Sequence, residues 1–332
     1  MKKILNYLFE HKTLDKETAK EVLVNIGKGV YNEHEITAFM TVFLMRSISL
    51  QELQGFQDAL LELCLPMNFE GVKTVDIVGT GGDGKNTFNI STLSCFIVAG
   101  AGHKVTKHGN YGASTVSGAS NVVEKMGYRF KNDNAQLLRE LEQANICFMH
   151  APLFHPALKN VAPIRRNLGM RTFFNMLGPL VNPAFPAYSI IGVYSLEMAR
   201  LYNYLMQQQS KSFSIVHALD GYDEVSLTGD TKIITTNGEK NYSAVELGNI
   251  EIKPEDILGG NTIDEAAGIF QKIIKGEGTP QQQAVVVANA AVALLTTGNY
   301  ASYKDAFAVA QESLQAGQAY GCLKKLIALQ SN

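Results

Sequence analysis

The sequence of 332 residues contains no tryptophan, only 4 cysteines and no apolar run long enough to span a membrane. The cysteines form no CxxC pair and lie at long, irregular intervals, at Cys64, Cys95, Cys147 and Cys322. This spacing favours buried apolar residues over a disulfide framework or a metal site. The most apolar run, Ala284–Leu295, is too short to cross a bilayer, and the first residues lack the apolar core of a signal peptide. We therefore expect a cytoplasmic protein with no membrane partner.

The chain also lacks an excess of either charge, with Lys+Arg 29 against Asp+Glu 31. Proteins that bind nucleic acid normally carry a basic excess, so a nucleic-acid partner is not expected. The balance does not exclude a small polyanionic substrate, because a pocket needs only a few local donors. A hydrophobic content of 46% is that of an ordinary globular protein, and the length suits about two domains.

The first 66 residues are predicted to form a small helical domain. Asn32 and Glu35 have the spacing of a capping box, and the same pattern recurs from Ser49. Each box precedes an apolar stripe of helical period. We expect part of residues 162–183 to join this domain, which makes the domains discontinuous.

From residue 74 onward, short strand-like runs alternate with helical segments, the pattern of parallel crossover units. The candidate strands are Thr74–Val78, Lys104–Thr106, Ile146–Met149, Tyr188–Val193 and Phe213–Leu219. Asn237-Gly238 joins two further runs, 232–236 and 239–244, as a hairpin. The predicted fold class is α/β: a mainly parallel sheet flanked by helices over residues 74–332, beside the smaller all-helical domain of residues 1–66.

The strongest chemical signal is a run of glycines from Gly79 to Gly84, at the end of the first predicted strand. Such a loop allows positive φ angles and lets backbone N–H groups approach a ligand closely. Asn89, Ser91 and Thr92 then open a helix, whose N-terminus favours anions. The combination predicts a cradle for phosphate or diphosphate. The alternative is a glycine-rich connection that binds nothing.

A P-loop is a competing interpretation of the same glycines. Gly79, Gly84 and Lys85 fit its first seven positions, but Asn86 stands where Ser or Thr should bind Mg²⁺. The helix is expected to begin nearer Asn89 than Lys85. The P-loop is therefore the less favoured interpretation.

Two further motifs directly follow predicted strands, where α/β sheets bind ligands. The first, Lys107–Asn110, offers a cation for phosphate and a glycine for close approach. The second, Asp220–Glu224, contains adjacent carboxylates that can bind a hard cation such as Mg²⁺. Alone, acidic residues after a strand are more often solvated turn residues. Their pairing with a phosphate cradle favours the metal site.

A fourth motif combines His155-Pro156 with Arg165 and the bend at Gly178-Pro179. The bidentate fork of an arginine is suited to a substrate carboxylate. An arginine on a helix face is more often only a surface charge, so both interpretations of Arg165 stay open from the residues alone.

Together these motifs resemble the anthranilate phosphoribosyltransferase family. The resemblance is carried in sequence order by GTGGDG with NIST, KHGN, HPA with RRNLG, FNMLGPLVNP and DGYDE, and it extends over essentially the whole chain. It implies a helical domain beside an α/β domain, and a homodimer formed through the helical domains. It also implies transfer of phosphoribosyl from PRPP to anthranilate in tryptophan biosynthesis, with Mg²⁺ as cofactor.

The resemblance further implies which residues contact each ligand, with Lys107 and Arg165 assigned to catalysis. PRPP is assigned to Gly79, Gly82, Asp83, Thr87, Asn89, Ile90, Ser91, Thr92, Lys107, His108, Gly109, Asn110, Ser114 and Thr115. Magnesium is assigned to Ser91, Asp223 and Glu224. Anthranilate is assigned to Gly79, His108, Asn110, Arg165 and Gly178.

The chain departs from the family pattern in one loop. Tyr111, Val116 and Ala119 stand where the family often has Arg, Lys and Ser, so this loop is less basic than usual. Two alternatives share the scaffold. A pyrimidine nucleoside phosphorylase is expected to carry a KHSTGG-like loop and does not need the pair Asp223-Glu224 for a metal. A non-catalytic relative that binds nucleic acid is expected to have a basic surface, which this chain lacks.

Overall fold

The computed structural model describes residues 1–69, 71–112 and 116–331. The chain divides into two compact units. Unit 1 comprises Met1–Met67 and Ala151–Phe185, and unit 2 comprises Asn68–His150 and the chain from Pro186 onward. Unit 1 is helical and is therefore built from two segments that are separated in sequence. The domain limits expected from the sequence, with part of 162–183 joining residues 1–66, stay a prediction.

The strands of the described residues form a single seven-stranded sheet within unit 2. They are β1 (Thr74–Gly79), β2 (Lys104–Gly109), β3 (Ile146–His150), β4 (Tyr188–Gly192), β5 (Ser212–Ala218), β6 (Thr231–Thr235) and β7 (Gly238–Tyr242). Their order is β3-β2-β1-β4-β5-β6-β7. The pairs from β3 to β5 are parallel, and β6 and β7 add an antiparallel edge. The predicted fold class, α/β with a mainly parallel sheet, is confirmed.

Helices make up unit 1 and flank the sheet of unit 2. In chain order they are α1 (Lys2–Phe9), α2 (Lys16–Gly27), α3 (Glu33–Met45), α4 (Leu50–Leu63), α5 (Ile90–Gly100), α6 (Ala119–Lys125), α7 (Asn134–Ala144), α8 (Ala151–Phe154), α9 (Ala162–Leu168), α10 (Phe174–Leu177), α11 (Leu196–Met206), α12 (Ala244–Gly248), α13 (Ile263–Ile274), α14 (Pro280–Thr296), α15 (Tyr303–Gln315) and α16 (Gln318–Ala328). Short 3₁₀ turns lie at Pro156–Asn160, Gly178–Leu180, Pro254–Ile257 and Leu329–Ser331. In the described part of the chain, no helix combines the length and apolar character needed to cross a membrane.

Helix starts follow the local sequence closely. The predicted capping boxes at Asn32 and Ser49 are present, with reciprocal side-chain bonds to the third residue of α3 and α4. One strand limit was wrong: residues 239–244 were expected as one run, but β7 ends at Tyr242. The reason is that the Ser243 side chain forms a capping box with Glu246 and starts α12 instead.

A second limit was wrong at β2. The sequence predicted a strand over Lys104–Thr106 with Lys107–Asn110 after it, but the strand runs to Gly109. Pairing with β3 continues through His108 opposite Met149 and Gly109 opposite His150. The ladder thus extends the strand beyond the apolar run, and three residues of the motif have extended strand backbone.

The core of unit 2 is built around α5 and α14. Ile90 to Ala99 of α5 are almost entirely excluded from solvent apart from Ser91, and so are Val285 to Leu294 of α14. The two helices are linked by Ser94, whose hydroxyl donates to the Val286 carbonyl oxygen at 3.2 Å. Because α5 follows β1, its N-terminus lies at the carboxyl end of the sheet.

Candidate active site

The candidate site lies where the strand order of the sheet reverses. β2 and β3 extend the sheet on one side of β1, and β4 and β5 extend it on the other. Gly79 ends β1 and pairs with Gly192, which ends β4. The Thr80 N–H donates to the Gly192 carbonyl oxygen at 2.9 Å. Open α/β sheets bind ligands at such a switch point, beyond the carboxyl ends of the strands.

Asp223 packs directly against both of these terminal glycines. A Cβ on Gly79 would lie 2.2 Å from Asp223 Oδ2, and a Cβ on Gly192 would lie 1.6 Å from the Asp223 carbonyl oxygen. The N–H of Gly81 donates to Asp223 Oδ2 at 2.7 Å. Because Gly79 and Gly192 have no side chains, Asp223 can pack against the ends of both strands and contact the glycine loop.

The glycine loop needs glycine for its backbone as well as for space. Gly81, Gly82 and Gly84 have φ angles of 65°, 77° and 76°. Other residues pay about 1–2 kcal/mol for this left-handed conformation. The sequence predicted that backbone N–H groups of this loop can approach a partner closely. Its positive φ angles and the bond from the Gly81 N–H to Asp223 fit that prediction.

The N-terminus of α5 is the second part of the site. The helix begins at Ile90, near the onset expected from the sequence, and Asn89 is its N-cap residue, although the Asn89 side chain makes no cap hydrogen bond. The Ser91 N–H instead donates to Glu224 Oε1 at 2.9 Å. Asn89 Nδ2 donates to the Ser117 carbonyl oxygen at 3.1 Å. The helix end, which favours anions, thus holds a carboxylate of the neighbouring loop.

The Asp223 and Glu224 carboxyl groups are held in an environment that disfavours their negative charge. Burial, followed by the charge of Asp83, raises the pKa of Asp223 well above its usual value. Burial, followed by the charges of Asp223 and Asp83, raises the pKa of Glu224. The nearby Lys107 charge opposes this shift for Glu224. A cation placed among these carboxylates would relieve the same repulsion.

The donor set of this cluster fits a hard divalent cation bound together with a phosphorylated ligand. No group of three or more His, Cys, Asp or Glu side chains among the described residues forms a complete metal cage. Mg²⁺ usually keeps several waters and binds through one or two carboxylates plus phosphate oxygens. Two buried oxygens beside the cluster, Thr80 Oγ1 and Asn89 Oδ1, have no partner within the described ranges. They leave polar capacity for a ligand.

The residues of the second motif lie on β2, next to β1. Lys107 is buried, and its Nζ donates to the Ile77 carbonyl oxygen at 2.6 Å. His108 is also buried, and its N–H donates to Asp76 Oδ1 at 3.2 Å. Lys107 therefore brings a positive charge close to Glu224 from within the sheet.

The loop after β2 is only partly described. Asn110 is exposed, and its carbonyl oxygen accepts from the Ser120 N–H at 3.2 Å. The Tyr111 hydroxyl donates to Glu124 Oε1 at 3.2 Å, and its ring contacts that of His150 at 4.8 Å. Ser114 and Thr115, which the resemblance assigns to PRPP, lie outside the described residues.

The other residues assigned to PRPP surround the glycine loop and the start of α5. Asp83 Oδ1 accepts from the Lys85 N–H at 3.0 Å, and Thr87 forms an isolated bridge with Leu258. Ile90 and Thr92 are almost completely buried. Their side chains therefore pack in the core, while the backbone of this turn faces the carboxyl end of the sheet.

Arg165 and Gly178 lie in unit 1. Arg165 stands on α9, where its Nη2 donates to Asn175 Oδ1 at 3.3 Å and its guanidinium lies 5.5 Å from the centre of the Phe174 ring. Burial lowers the pKa of Arg165, but a guanidinium stays charged in proteins. Gly178 begins a 3₁₀ turn with open space where its Cβ would be. Asn175 thus orients the arginine side chain.

His155 of the fourth motif is a packing residue within unit 1. It is 1% exposed, and its Nε2 lies 2.9 Å from the Val181 carbonyl oxygen, to which it donates. Burial lowers the pKa of His155 from 6.5 to about 4. The histidine therefore fixes the segment around Val181 while neutral.

Acidification should destabilise the protein through His155. The unfolded chain takes up the proton near pH 6.5, whereas the folded chain resists it down to about pH 4. The free energy of unfolding should therefore fall as the pH drops through this window, by about 2 kcal/mol at pH 5. Thermal unfolding of wild type and His155→Gln at pH 7.5 and pH 5 measures this. The glutamine variant should lose less stability on acidification, and an equal loss would contradict the prediction.

Two residues of this site were missed from the sequence. Gly192 lay inside a predicted apolar strand, and only its pairing with Gly79 reveals its place. Asn289 stands within the apolar run Ala284–Leu295 of α14, and its side-chain amide bonds the backbone of Val225. The one local signal was a lone amide in an otherwise apolar helical segment.

The P-loop interpretation is wrong. A P-loop lysine sits at the start of its helix, whereas α5 begins at Ile90. Lys85 Nζ lies over the ring of Tyr222, 4.5 Å from its centre. The loop that contains these glycines is thus longer than a P-loop and leads to a helix that begins at Ile90.

The chain is similar to known proteins over essentially its whole length. Residues 2–64 match the glycosyl transferase family, helical bundle domain, and residues 71–320 match the glycosyl transferase family, a/b domain. The chain is 52% identical over 332 residues to an anthranilate phosphoribosyltransferase of Christiangramia forsetii, covering 100% of both chains. It is similar to the crystal structure of anthranilate phosphoribosyltransferase from Thermus thermophilus, with a TM-score of 0.92, 29% identity and 99% of each chain covered. The enzyme from Saccharomyces cerevisiae in complex with PRPP and Mg is also similar, with a TM-score of 0.87, 26% identity, and 96% of this chain and 94% of that chain covered.

Proposed function

Because the chain belongs to the anthranilate phosphoribosyltransferase family, we propose that it transfers the 5-phosphoribosyl group of PRPP to the amine of anthranilate. The products are N-(5-phosphoribosyl)anthranilate and diphosphate, in tryptophan biosynthesis. The observation that carries this proposal is the pair of buried Asp223 and half-buried Glu224, which accept from the N–H groups of Gly81 and Ser91 at the switch point of the sheet. Neither a nucleoside phosphorylase nor a nucleic-acid-binding relative is favoured, because neither accounts for this carboxylate pair.

We propose that PRPP binds along the glycine loop, the start of α5 and the end of β2. Its residues are Gly79, Gly82, Asp83, Thr87, Asn89, Ile90, Ser91, Thr92, Lys107, His108, Gly109, Asn110, Ser114 and Thr115. Three features support this proposal: the positive φ angles of the glycine loop, the N-terminus of α5 and the buried charge of Lys107. Ile90 and Thr92 would contribute backbone groups, because their side chains are buried in the core.

We propose that Ser91, Asp223 and Glu224 hold Mg²⁺ together with the diphosphate of PRPP. The bound ion supplies Lewis-acid stabilisation of the charge that grows on the leaving diphosphate. The raised pKa of both carboxyl groups supports this assignment, because burial and then the neighbouring carboxylates, Asp83 among them, disfavour a negative charge that a bound cation would balance. Backbone N–H groups of the glycine loop and of α5 would stabilise the same negative charge.

Arg165 is proposed to bind the carboxylate of anthranilate, with Gly79, His108, Asn110 and Gly178 as further contacts. Within the described ranges its guanidinium donates from Nη2 to Asn175 and lies 5.5 Å from the centre of the Phe174 ring, and this bond uses one of the five N–H donors of a guanidinium. Arg165 and Lys107 are thus the proposed catalytic residues. Their roles are to hold substrate and to balance charge.

The bond changes in the reaction are simple. The C1–O bond to diphosphate breaks as the amine nitrogen of anthranilate bonds C1, and the nitrogen then loses one proton to solvent. The ribose passes through an oxocarbenium-like state that needs little covalent help. Holding the amine against C1 is therefore the main task of the protein, and no side chain is assigned as a general base.

The assembly and the compartment are also part of the proposal. A homodimer through the helical unit is supported by exposed apolar side chains on that unit, among them Phe9, at 61% exposure, and Met45, at 87%. A cytoplasmic location is supported by the four cysteines, which are free and buried. Size-exclusion chromatography with light scattering tests the homodimer.

The activity itself is tested by fluorescence. When the purified protein is mixed with PRPP, Mg²⁺ and anthranilate, the fluorescence of free anthranilate should fall as the amine reacts. Omission of PRPP or Mg²⁺ should prevent this fall. No consumption at any substrate concentration would overturn the proposed function.

Replacing Arg165 with alanine should raise the KM for anthranilate by about 10–100-fold, the cost of losing a charge-assisted bidentate contact. The dissociation constant of Mg·PRPP should stay within about twofold of the wild type. Initial rates at varied anthranilate, together with calorimetry of Mg·PRPP, measure the two effects. The matched control is Arg166→Ala, the exposed neighbour on the same helix. An equal effect of both changes would reject the specific role of Arg165.

A further inference from the structure

Asn289 is an amide buried in the apolar centre of α14. It is 6% exposed, and the other residues from Val285 to Leu294 are apolar and buried. Burying an amide costs free energy unless its polar atoms find partners. The hydrogen bonds that offset this cost therefore indicate what the Asn289 side chain does.

Every hydrogen-bonding atom of the Asn289 side chain is used. Oδ1 accepts from the Val225 N–H at 3.0 Å, and Nδ2 donates to the Val225 carbonyl oxygen at 2.8 Å. Nδ2 also donates to the Val285 carbonyl oxygen at 2.9 Å, one turn earlier in the same helix. The bond to Val285 fixes which side of the amide carries the donors. The Asn289 side chain therefore hydrogen-bonds both the N–H and the carbonyl oxygen of Val225 in a single amide orientation.

Val225 directly follows the carboxylate pair. On the other side of the pair, the Asp223 carbonyl oxygen occupies the space left by the missing side chain of Gly192. The Asp223-Glu224 dipeptide is thus held at one end by β4 and at the other by α14. A shift of Val225 would displace Glu224, whose Oε1 accepts from the Ser91 N–H.

We infer that Asn289 is a positioning residue that fixes the Asp223-Glu224 pair for Mg·PRPP. This inference rests on the proposed function. It assigns the amide a role in geometry: Asn289 touches no reacting atom, and acts through the backbone of Val225. Residues that orient metal ligands typically contribute 10–100-fold to metal affinity or activity.

The test is binding of Mg·PRPP without anthranilate, measured by isothermal calorimetry on the full chain. Asn289→Ala should weaken binding by about 10–100-fold and raise the Mg²⁺ concentration that gives half-maximal turnover. The KM for anthranilate should stay within about twofold. A purely structural role would lower the melting temperature and leave the Mg·PRPP affinity unchanged.

Asn289→Gln separates positioning from hydrogen-bond satisfaction, and it also serves if the alanine variant does not fold. Glutamine keeps the acceptor and both donors but moves them outward by one methylene. We expect binding of Mg·PRPP to weaken by at least about fivefold even though the bonds can form, because small misplacements are costly at such sites. Affinity within twofold of the wild type would overturn the inference.

Two control variants share the helix. Gln283→Ala removes a side chain whose Nε2 donates to the carbonyl oxygens of Gly276 and Gly278. This change should leave the affinity for Mg·PRPP unchanged. Leu294→Ala removes a fully buried side chain and should lower the melting temperature without changing that affinity. If Leu294→Ala weakened Mg·PRPP as much as Asn289→Ala, the inference would fail. A wild type that does not bind Mg·PRPP would overturn the proposed function itself, a different outcome.

Discussion

The double variant Asp223→Asn with Glu224→Gln should lower Mg²⁺-dependent turnover by about 10³-fold or more. The amide oxygens of Asn and Gln can still accept from the N–H groups of Gly81 and Ser91, which donate to the carboxylates at 2.7 and 2.9 Å. The shape of the site is therefore kept and only its negative charge is removed. Turnover as a function of Mg²⁺ concentration, at saturating PRPP and anthranilate, measures the loss.

This variant also makes a prediction about stability. Burial raises the pKa of both carboxyl groups, and so do the charge of Asp83 at Asp223 and the charges of Asp223 and Asp83 at Glu224, so their ionisation opposes folding when no cation is bound. Neutral side chains should therefore give a melting temperature at pH 8, without Mg²⁺, that is no lower than that of the wild type. The control for turnover is Asp220→Asn, an exposed carboxylate of the same loop. If turnover of the double variant equals that of Asp220→Asn, the pair has no part in metal binding.

The second large effect is expected for Gly192→Ala. The new Cβ would lie 1.6 Å from the Asp223 carbonyl oxygen and 2.7 Å from its carbonyl carbon. Backbone cannot move aside as a flexible side chain can, so the Asp223 loop must shift away from β4. We expect turnover to fall by about 10²-fold or more, because a displacement of about 1 Å in a positioned group has this cost.

The matched control is Gly268→Ala in the same unit. Gly268 lies in α13, is exposed, and has open space where a Cβ would be. Alanine there should leave turnover unchanged and stabilise the helix by about 0.5–1 kcal/mol. Steady-state kinetics and thermal unfolding of both variants provide the comparison. Normal turnover in Gly192→Ala would show that the Asp223 loop tolerates displacement.

The sequence predicted those parts of the fold that depend on neighbours along the chain. The capping box at Asn32 follows from side chains within four residues of the helix end, and α5 begins at Ile90, close to the expected onset near Asn89. The parallel strands follow from short apolar runs between helices, because each run is buried as a unit. The conformation of the glycine loop was also predicted locally, since Gly81 and Gly84 have the positive φ angles that only glycine adopts readily, and its binding of phosphate stays a prediction.

The remainder depends on contacts between distant segments, which no local pattern encodes. The importance of Gly192 arises only once β4 lies beside β1, because its missing Cβ makes room for Asp223. The bonds of Asn289 to Val225 likewise join residues 64 positions apart. The extension of β2 to Gly109 could not be predicted for the same reason, because it depends on pairing with β3. At the other positions, the ligand contacts were assigned from the resemblance to a family, and those assignments stay predictions.

The two-segment construction of unit 1 has a consequence for how the chain reaches its fold during synthesis. Phe173 stacks on Phe56 at 4.5 Å and lies 5.0 Å from Phe43, so the aromatic core of the unit needs its second segment. Residues 68–150 must be made before that segment exists, a delay of several seconds at about 5–20 residues per second. Until then Phe173 is absent, and the aromatic side chains of α3 and α4 that pack against it lack this partner. The helical unit can therefore complete its aromatic core only after the residues of the first three strands have been synthesised.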